Sequence, residues 1–321
     1  MIPLPTKGIH TAFRTRQKLL LAGVVAVALG IWGFTQNSAS RSVPEYEAFV
    51  AAYGQTVGAD DTLVVGSRST APHACIIATT PAQIYVAERI QRFWSFLSTQ
   101  FSLVGVLQIS PRSDDCPANT NFTFLPLDDP AGAGVEAMLR SLGVDLEEGN
   151  RRNTINPLGY GFGYLDDDQP KTVVVINTLS SQTPNSSVAT RFVNAVVLQE
   201  TFQMLTFGPD RPVEFAPTSI LHEPVSRPDP DWESYTPEDL AIFLDQTPER
   251  LCREDVFALA AFERISAAGV VYESDVNEVV MSAFESIQNK TNEITSDQEW
   301  NDIVDPNCSL ANPLGPSGTS Q

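Results

Sequence analysis

Residues 199–203 read Gln-Glu-Thr-Phe-Gln. This is the frame of the zinc-protease helix, His-Glu-x-x-His, with glutamine at both histidine positions. In that motif the side chains at i and i+4 lie about 40° apart on one helix face. Two imidazoles there hold a zinc ion, and the glutamate between them acts as general base on the metal-bound water. Gln199 and Gln203 keep the spacing and lose the chemistry, because a carboxamide offers a metal only a neutral carbonyl oxygen. Without zinc there is no acidified water for Glu200 to deprotonate. The chain has three histidines, and His10 lies in a basic leader. His73 and His222 alone cannot rebuild a three-ligand site. No metal and no cofactor are therefore expected. Glu200 is the one catalytic candidate, and Gln199 and Gln203 are expected to bind rather than react.

The motif sits in an apolar run, Phe192-Val193-Asn194-Ala195-Val196-Val197-Leu198 before it and Met204-Leu205 after it. Polar residues on such a helix are costly unless satisfied, so this face is expected to line a pocket. Other catalytic patterns are absent. There is no Gly-x-Ser-x-Gly elbow and no phosphate loop. Ser219 and His222 stand too close in sequence to imply a triad without a partner acid. Gly159-Tyr160-Gly161-Phe162-Gly163-Tyr164 lacks the strand–turn–helix setting of a nucleotide loop, and reads as irregular structure or an edge strand. Asp166-Asp167-Asp168 lacks an EF-hand frame and reads as a solvated turn.

The run Leu198-Gln199-Glu200-Thr201-Phe202-Gln203-Met204-Leu205, then Gly208-Pro209-Asp210, then Pro217-Thr218-Ser219-Ile220-Leu221-His222-Glu223, resembles an uncharacterised family of exported bacterial proteins. Its members carry a Glu-Glu-x-x-Gln-x-Leu-Gly helix, an Asn-Asp turn and an Asp-Ser-hydrophobic-Phe-Asn-Asp segment. Glu200, Gln203 and Leu205 match directly, Asp210 matches the second residue of the turn, and Ser219 matches the serine. The chain departs from the pattern at Gln199 (glutamate in the family), Thr206 (glycine) and His222-Glu223 (Asn-Asp). The stretch Tyr235 to Leu244 resembles the helix that follows the motif. The resemblance spans roughly residues 70–265, and its specific part is residues 198–223. It implies a zincin-like fold, a mixed sheet with a central motif helix, and adds Asp210, Ser219 and His222 as binding candidates. It implies no substrate.

Those residues need elements to position them. Strands are expected at 62–65, 74–77, 104–109, 122–125 and 172–176, and helices at 45–53, from Pro81, at 135–142, 188–207, 237–244, 253–267 and 276–288. Residues 144–170 read as loop. Thr80-Pro81 opens the clearest helix: Thr80 can cap, Pro81 suits the first turn, and Ile84, Ala87, Ile90, Phe93, Trp94 and Leu97 form a buried stripe. Strands dominate the first half and helices the second, so the class is α+β in a single domain.

The N-terminus decides the compartment. Lys7, Arg14, Arg16 and Lys18 precede an uninterrupted apolar stretch at 19–34, LLLAGVVAVALGIWGF. This reads as a transmembrane signal anchor behind a basic cytoplasmic leader, residues 1–18. Ser38-Ala39-Ser40 offers a cleavage site that would make the protein secreted, but the long leader favours an uncleaved anchor. A linker at 35–44, an extracytoplasmic domain at 45–305 and a disordered tail at 306–321 complete the organisation. Past residue 34 the chain holds 16 basic and 39 acidic residues, a net of −23, which excludes nucleic acid as a partner. Four cysteines in an exported domain imply two disulfides in one of three pairings, of which Cys75–Cys116 with Cys252–Cys308 is preferred because it keeps each bridge within one half of the chain. The expected function is a membrane-anchored pseudo-protease that binds a peptide or envelope component. The alternatives are a hydrolase using Glu200 with a non-standard metal site built from His222 and Asp210, and a structural envelope or adhesion protein.

Overall fold

The computed structural model describes residues 71–129, 133–144, 159–166, 169–179, 187–206, 211–213, 219–224, 237–244, 247–268 and 273–308. The expected leader, anchor and linker, the helix at 45–53, the strand at 62–65, Asp210 and the tail beyond Cys308 lie outside these residues. Two compact units divide at Val43–Pro44, and every described residue belongs to the second. No helix among the described residues is long and apolar enough to cross a membrane.

Five short runs of β-branched and aromatic residues build one mixed sheet. They are β1 (Ala74–Ile77), β2 (Leu107–Ser110), β3 (Phe122–Leu127), β4 (Gly159–Asp166) and β5 (Gln169–Asn177), in the order β2-β1-β3-β5-β4. β1 pairs in parallel with β2 and β3, and β3 with β5. β4 runs antiparallel to β5 and forms one edge. The class is α+β, as expected. The glycine–aromatic run is an edge strand, and residues 159–166 are paired rather than loop. The expected strand at 104–109 narrows to β2, and that at 172–176 lengthens to β5.

Parallel strands need crossovers, and helices supply them. α1 (Pro81–Gln100) links β1 to β2. Thr80 Oγ1 accepts from the Gln83 N–H at 3.3 Å, and Gln83 Oε1 accepts from the Thr80 N–H at 3.1 Å, a complete capping box before Pro81. Its buried face is Val86, Ala87, Ile90, Phe93, Trp94, Phe96 and Leu97. Trp94 stands edge-on to Phe122 and Phe124 of β3, and its Nε1–H donates to the Gly105 carbonyl at 2.8 Å. Ile84, expected in the stripe, is 44% exposed. It sits in the first turn, just past the end of β1, where the sheet gives little cover.

The two faces of the sheet separate by strand parity. Val173 and Val175 of β5, Leu125 of β3 and Tyr160 of β4 pack with Val135 and Leu139 of α2 (Ala133–Ser141). The opposite face of β5, with Val174 and Ile176, shares its side with Gly159 and Gly161 of β4. Two residues past the end of β5, Leu179 is buried at φ 53, and its N–H donates to Asn177 Oδ1 at 2.8 Å. A non-glycine residue takes this left-handed conformation only when held there. The motif helix α3 (Ser187–Thr206) begins eight residues later.

The second half is helical. β6 (Arg211–Val213) and β7 (His222–Pro224) form a small parallel pair. α4 (Pro237–Leu244) packs on α3, and α5 (Arg253–Ala268), α6 (Glu273–Ser282) and α7 (Phe284–Ser296) pack together. The single helix expected at 276–288 is two helices. The apolar period runs through the break, but Ala283 leaves helical geometry at φ −102, ψ 6 and lets α7 turn back along α5, with Phe284 against Phe257. Both expected disulfides are present. Cys75–Cys116 ties β1 to a 3-10 turn, and Cys252–Cys308 ties the start of α5 to a segment where Leu251 bridges Val304. Described structure therefore runs on to Cys308.

Candidate functional site

α3 is apolar almost all round, the pattern of a helix buried on several sides. It touches β4 and β5 beneath, α1 on one flank and α4 on another. The glycines of β4 set its distance from the sheet. A Cβ on Gly159 would come 2.6 Å from Val196 Cγ1 and 3.5 Å from Glu200 Cγ. One on Gly161 would come 2.4 Å from Met204 Cγ and Sδ. Val196, Glu200 and Met204 recur every fourth residue, so they form a single ridge laid along the glycine face of the edge strand. Glycine in a strand interior is otherwise unfavourable, and a close approach is its usual reason. The aromatics of the same run, Tyr160 and Phe162, point to the opposite face and pack edge to face with centroids 5.3 Å apart.

This brings three predicted residues together. Glu200 is half-buried on the ridge, Gln203 is half-buried a turn later, and Gln199 is 8% exposed. Thr201, between them, is 1% exposed, and its hydroxyl has no hydrogen-bond partner among the described residues. The helix closes with the Thr206 hydroxyl donating to the Phe202 carbonyl at 2.8 Å. The stretch thus sets one carboxylate and two carboxamides over the glycine face of the strand that ends the sheet order among the described residues. Such a set donates and accepts hydrogen bonds. Tyr160 adds no base, because burial first, and Asp129 second, push its phenol well above the ordinary range.

Ser219 lies elsewhere. It is buried, and its hydroxyl donates to Asp255 Oδ1. Asp255 Oδ2 accepts from the Cys252 N–H at 2.8 Å and the Ile220 N–H at 3.2 Å. The Leu221 N–H donates to Ser219 Oγ at 3.1 Å. This knot caps α5, with Asp255 at the third helical position reaching back to the residue before the helix. It also pins the turn that leads into β7. Ser219 is spent on structure. His222 is described only as the first residue of β7, opposite Arg211. Among the described residues no three His, Cys, Asp or Glu side chains converge on one point.

A cavity of about 450 Å³ lies past the end of the motif, where α3 contributes only Leu205. In its wall Lys290 Nζ donates to Glu263 Oε2 at 2.6 Å, the Ser102 N–H to Oε1 at 3.0 Å, and Arg264 Nη2 to Ser286 Oγ at 2.6 Å. Sequence reasoning missed two features here. The Asp255 knot leaves no periodic signal. The glycine face left one, alternation at period two, which pointed to a strand without saying what it would meet. No family model, curated protein or solved structure matches this chain.

Proposed function

We propose that this domain is a catalytically silent, zincin-like peptide-binding module, held outside the cytoplasm by the apolar segment at 19–34. The observation that carries it is the packing of α3: the Gln-Glu-x-x-Gln stretch lies against the glycine face of a sheet-edge strand. An edge strand offers unpaired N–H and C=O groups, and an extended peptide can add to it as a further strand. Gln199 and Gln203 would then supply amide donors and acceptors beside that peptide, with Glu200 selecting against acidic residues. A mixed sheet with a central motif helix is what a zincin-like fold calls for, and the glutamines remove the zinc ligands. The two disulfides support an oxidising compartment. The bound segment belongs to a peptide or to a protein of the cell envelope.

The test uses the purified full chain with a random peptide library and elemental analysis of zinc. The expected result is enrichment of extended peptides, weakened about tenfold or more by the double substitution Glu200→Ala, Gln203→Ala, with no cleavage. Stoichiometric zinc together with proteolysis lost in Glu200→Gln would instead establish an active hydrolase.

A further inference from the structure

α1 and α3 lie side by side, and between them stays a second, smaller cavity of about 60 Å³. Arg89 and Arg92 of α1, Asn194 and Leu198 of α3, and Asp302 from the C-terminal segment are among its walls. The two arginines are one turn apart and differently employed. Arg92 Nε donates to Asp302 Oδ2 at 3.0 Å and its Nη2 to Oδ1 at 2.9 Å, a side-on fork, with the guanidinium 4.2 Å above the Trp300 ring. That fork holds the Asp302 carboxyl below its ordinary range and occupies both its oxygens.

Arg89 also rests on an aromatic ring, and although it shares the cavity with Asp302 it makes no hydrogen bond to that carboxylate, whose oxygens both go to Arg92. Its guanidinium lies 5.0 Å above the Tyr85 ring. Its Nε is buried and makes no hydrogen bond to any described residue. Arg92, Arg191, Arg250, Arg253 and Arg264 each have a hydrogen-bond acceptor. Across the cavity, half-buried Asn194 interrupts the apolar run of α3. A buried donor without an acceptor is costly, and Asp302, the carboxylate in this cavity's wall, already has both oxygens taken by Arg92. The Nε–H and one Nη–H of arginine match the two oxygens of a carboxylate, and an asparagine amide can add a third donor. The volume admits one carboxylate group or a few waters.

We propose that the Arg89–Asn194 cavity binds a single carboxylate group supplied from outside the chain, either a small free acid or a glutamate side chain. The site is separate from the Gln199–Gln203 face and stands or falls without it. The experiment titrates sodium acetate, and separately N-acetylglutamate amide, into the purified full chain, replacing sodium chloride mole for mole and reading heat. Saturable binding of acetate names the free acid as the source, and binding of the glutamate probe alone names the side chain. Arg89→Gln and Asn194→Ala each weaken binding about tenfold or more, and Arg140→Gln, on an exposed face of α2, leaves it unchanged. Should Arg89→Gln fail to fold, Asn194→Ala reads the same contact from the opposite wall. No saturable heat with either probe, or binding that survives both substitutions, overturns the proposal.

Discussion

Asp255 is buried among neighbours that donate to it, and these two influences oppose each other. Loss of water disfavours its charge, while the Ser219 hydroxyl and the Cys252 and Ile220 N–H groups favour it. Burial wins and pushes the carboxyl up to about 7, with Glu254 adding to the rise. The folded chain therefore binds this proton more tightly than the unfolded chain does. Its contribution to stability is complete below about pH 4, declines between about pH 4 and 7, and is flat above, a span of up to about 4 kcal/mol. Asp255→Asn should flatten that decline in urea titrations, because one amide oxygen can still accept from the two N–H groups. A wild-type chain that gains stability across this window relative to the Asn variant would contradict the assignment. Two glycines give a matched pair of predictions. Gly161→Ala forces a methyl against Met204 and should cost about 1–3 kcal/mol. Gly134→Ala, on exposed α2 with nothing within 4 Å of its Cβ, should stabilise by about 0.5–1 kcal/mol. Denaturant midpoints of the two variants moving the same way would argue against the close contact of α3 with β4.

The local elements carry their own signatures unevenly. The capping box at Thr80 was legible from Thr80-Pro81 because cap chemistry is local, and Thr80→Ala should cost about 1 kcal/mol, measured as a fall in thermal midpoint with unchanged helical dichroism. The bounds of α3, α4 and α5 were equally legible from apolar spacing. The turn at Ala283 was not, because Val276, Val280, Phe284 and Ile287 keep a helical period through it, and only packing against α5 bends the chain there. β4 was half legible. Glycine alternating with aromatics fits a strand, but the residues facing each side are chosen by elements distant in sequence: α2 for Tyr160 and Phe162, α3 for the glycines. The motif helix was recognisable as a frame, whereas its burial on several sides is a tertiary result.

At the scale of the molecule, two disulfides close spans of 41 and 56 residues. Each restricts the unfolded chain and contributes about 4 kcal/mol on loop-closure grounds. Reduction should therefore lower the urea midpoint sharply, and Cys252→Ser with Cys308→Ser should reproduce part of that fall. An unchanged midpoint after reduction would show that packing alone holds the termini of this domain. The sequence by itself determined the α+β class, the even count of cysteines, the acidity of the chain past residue 34, and the absence of imidazole at positions 199 and 203. These follow from composition, local spacing and ligand chemistry, which do not depend on how distant segments meet. Only the tertiary structure decided that Ser219 serves the Asp255 knot, that the glycines of β4 admit the Glu200 ridge, and that Arg89 and Asn194 share one cavity. Each of these depends on which side chains the fold brings within a few ångströms, and no periodicity in one segment records what another segment will place against it.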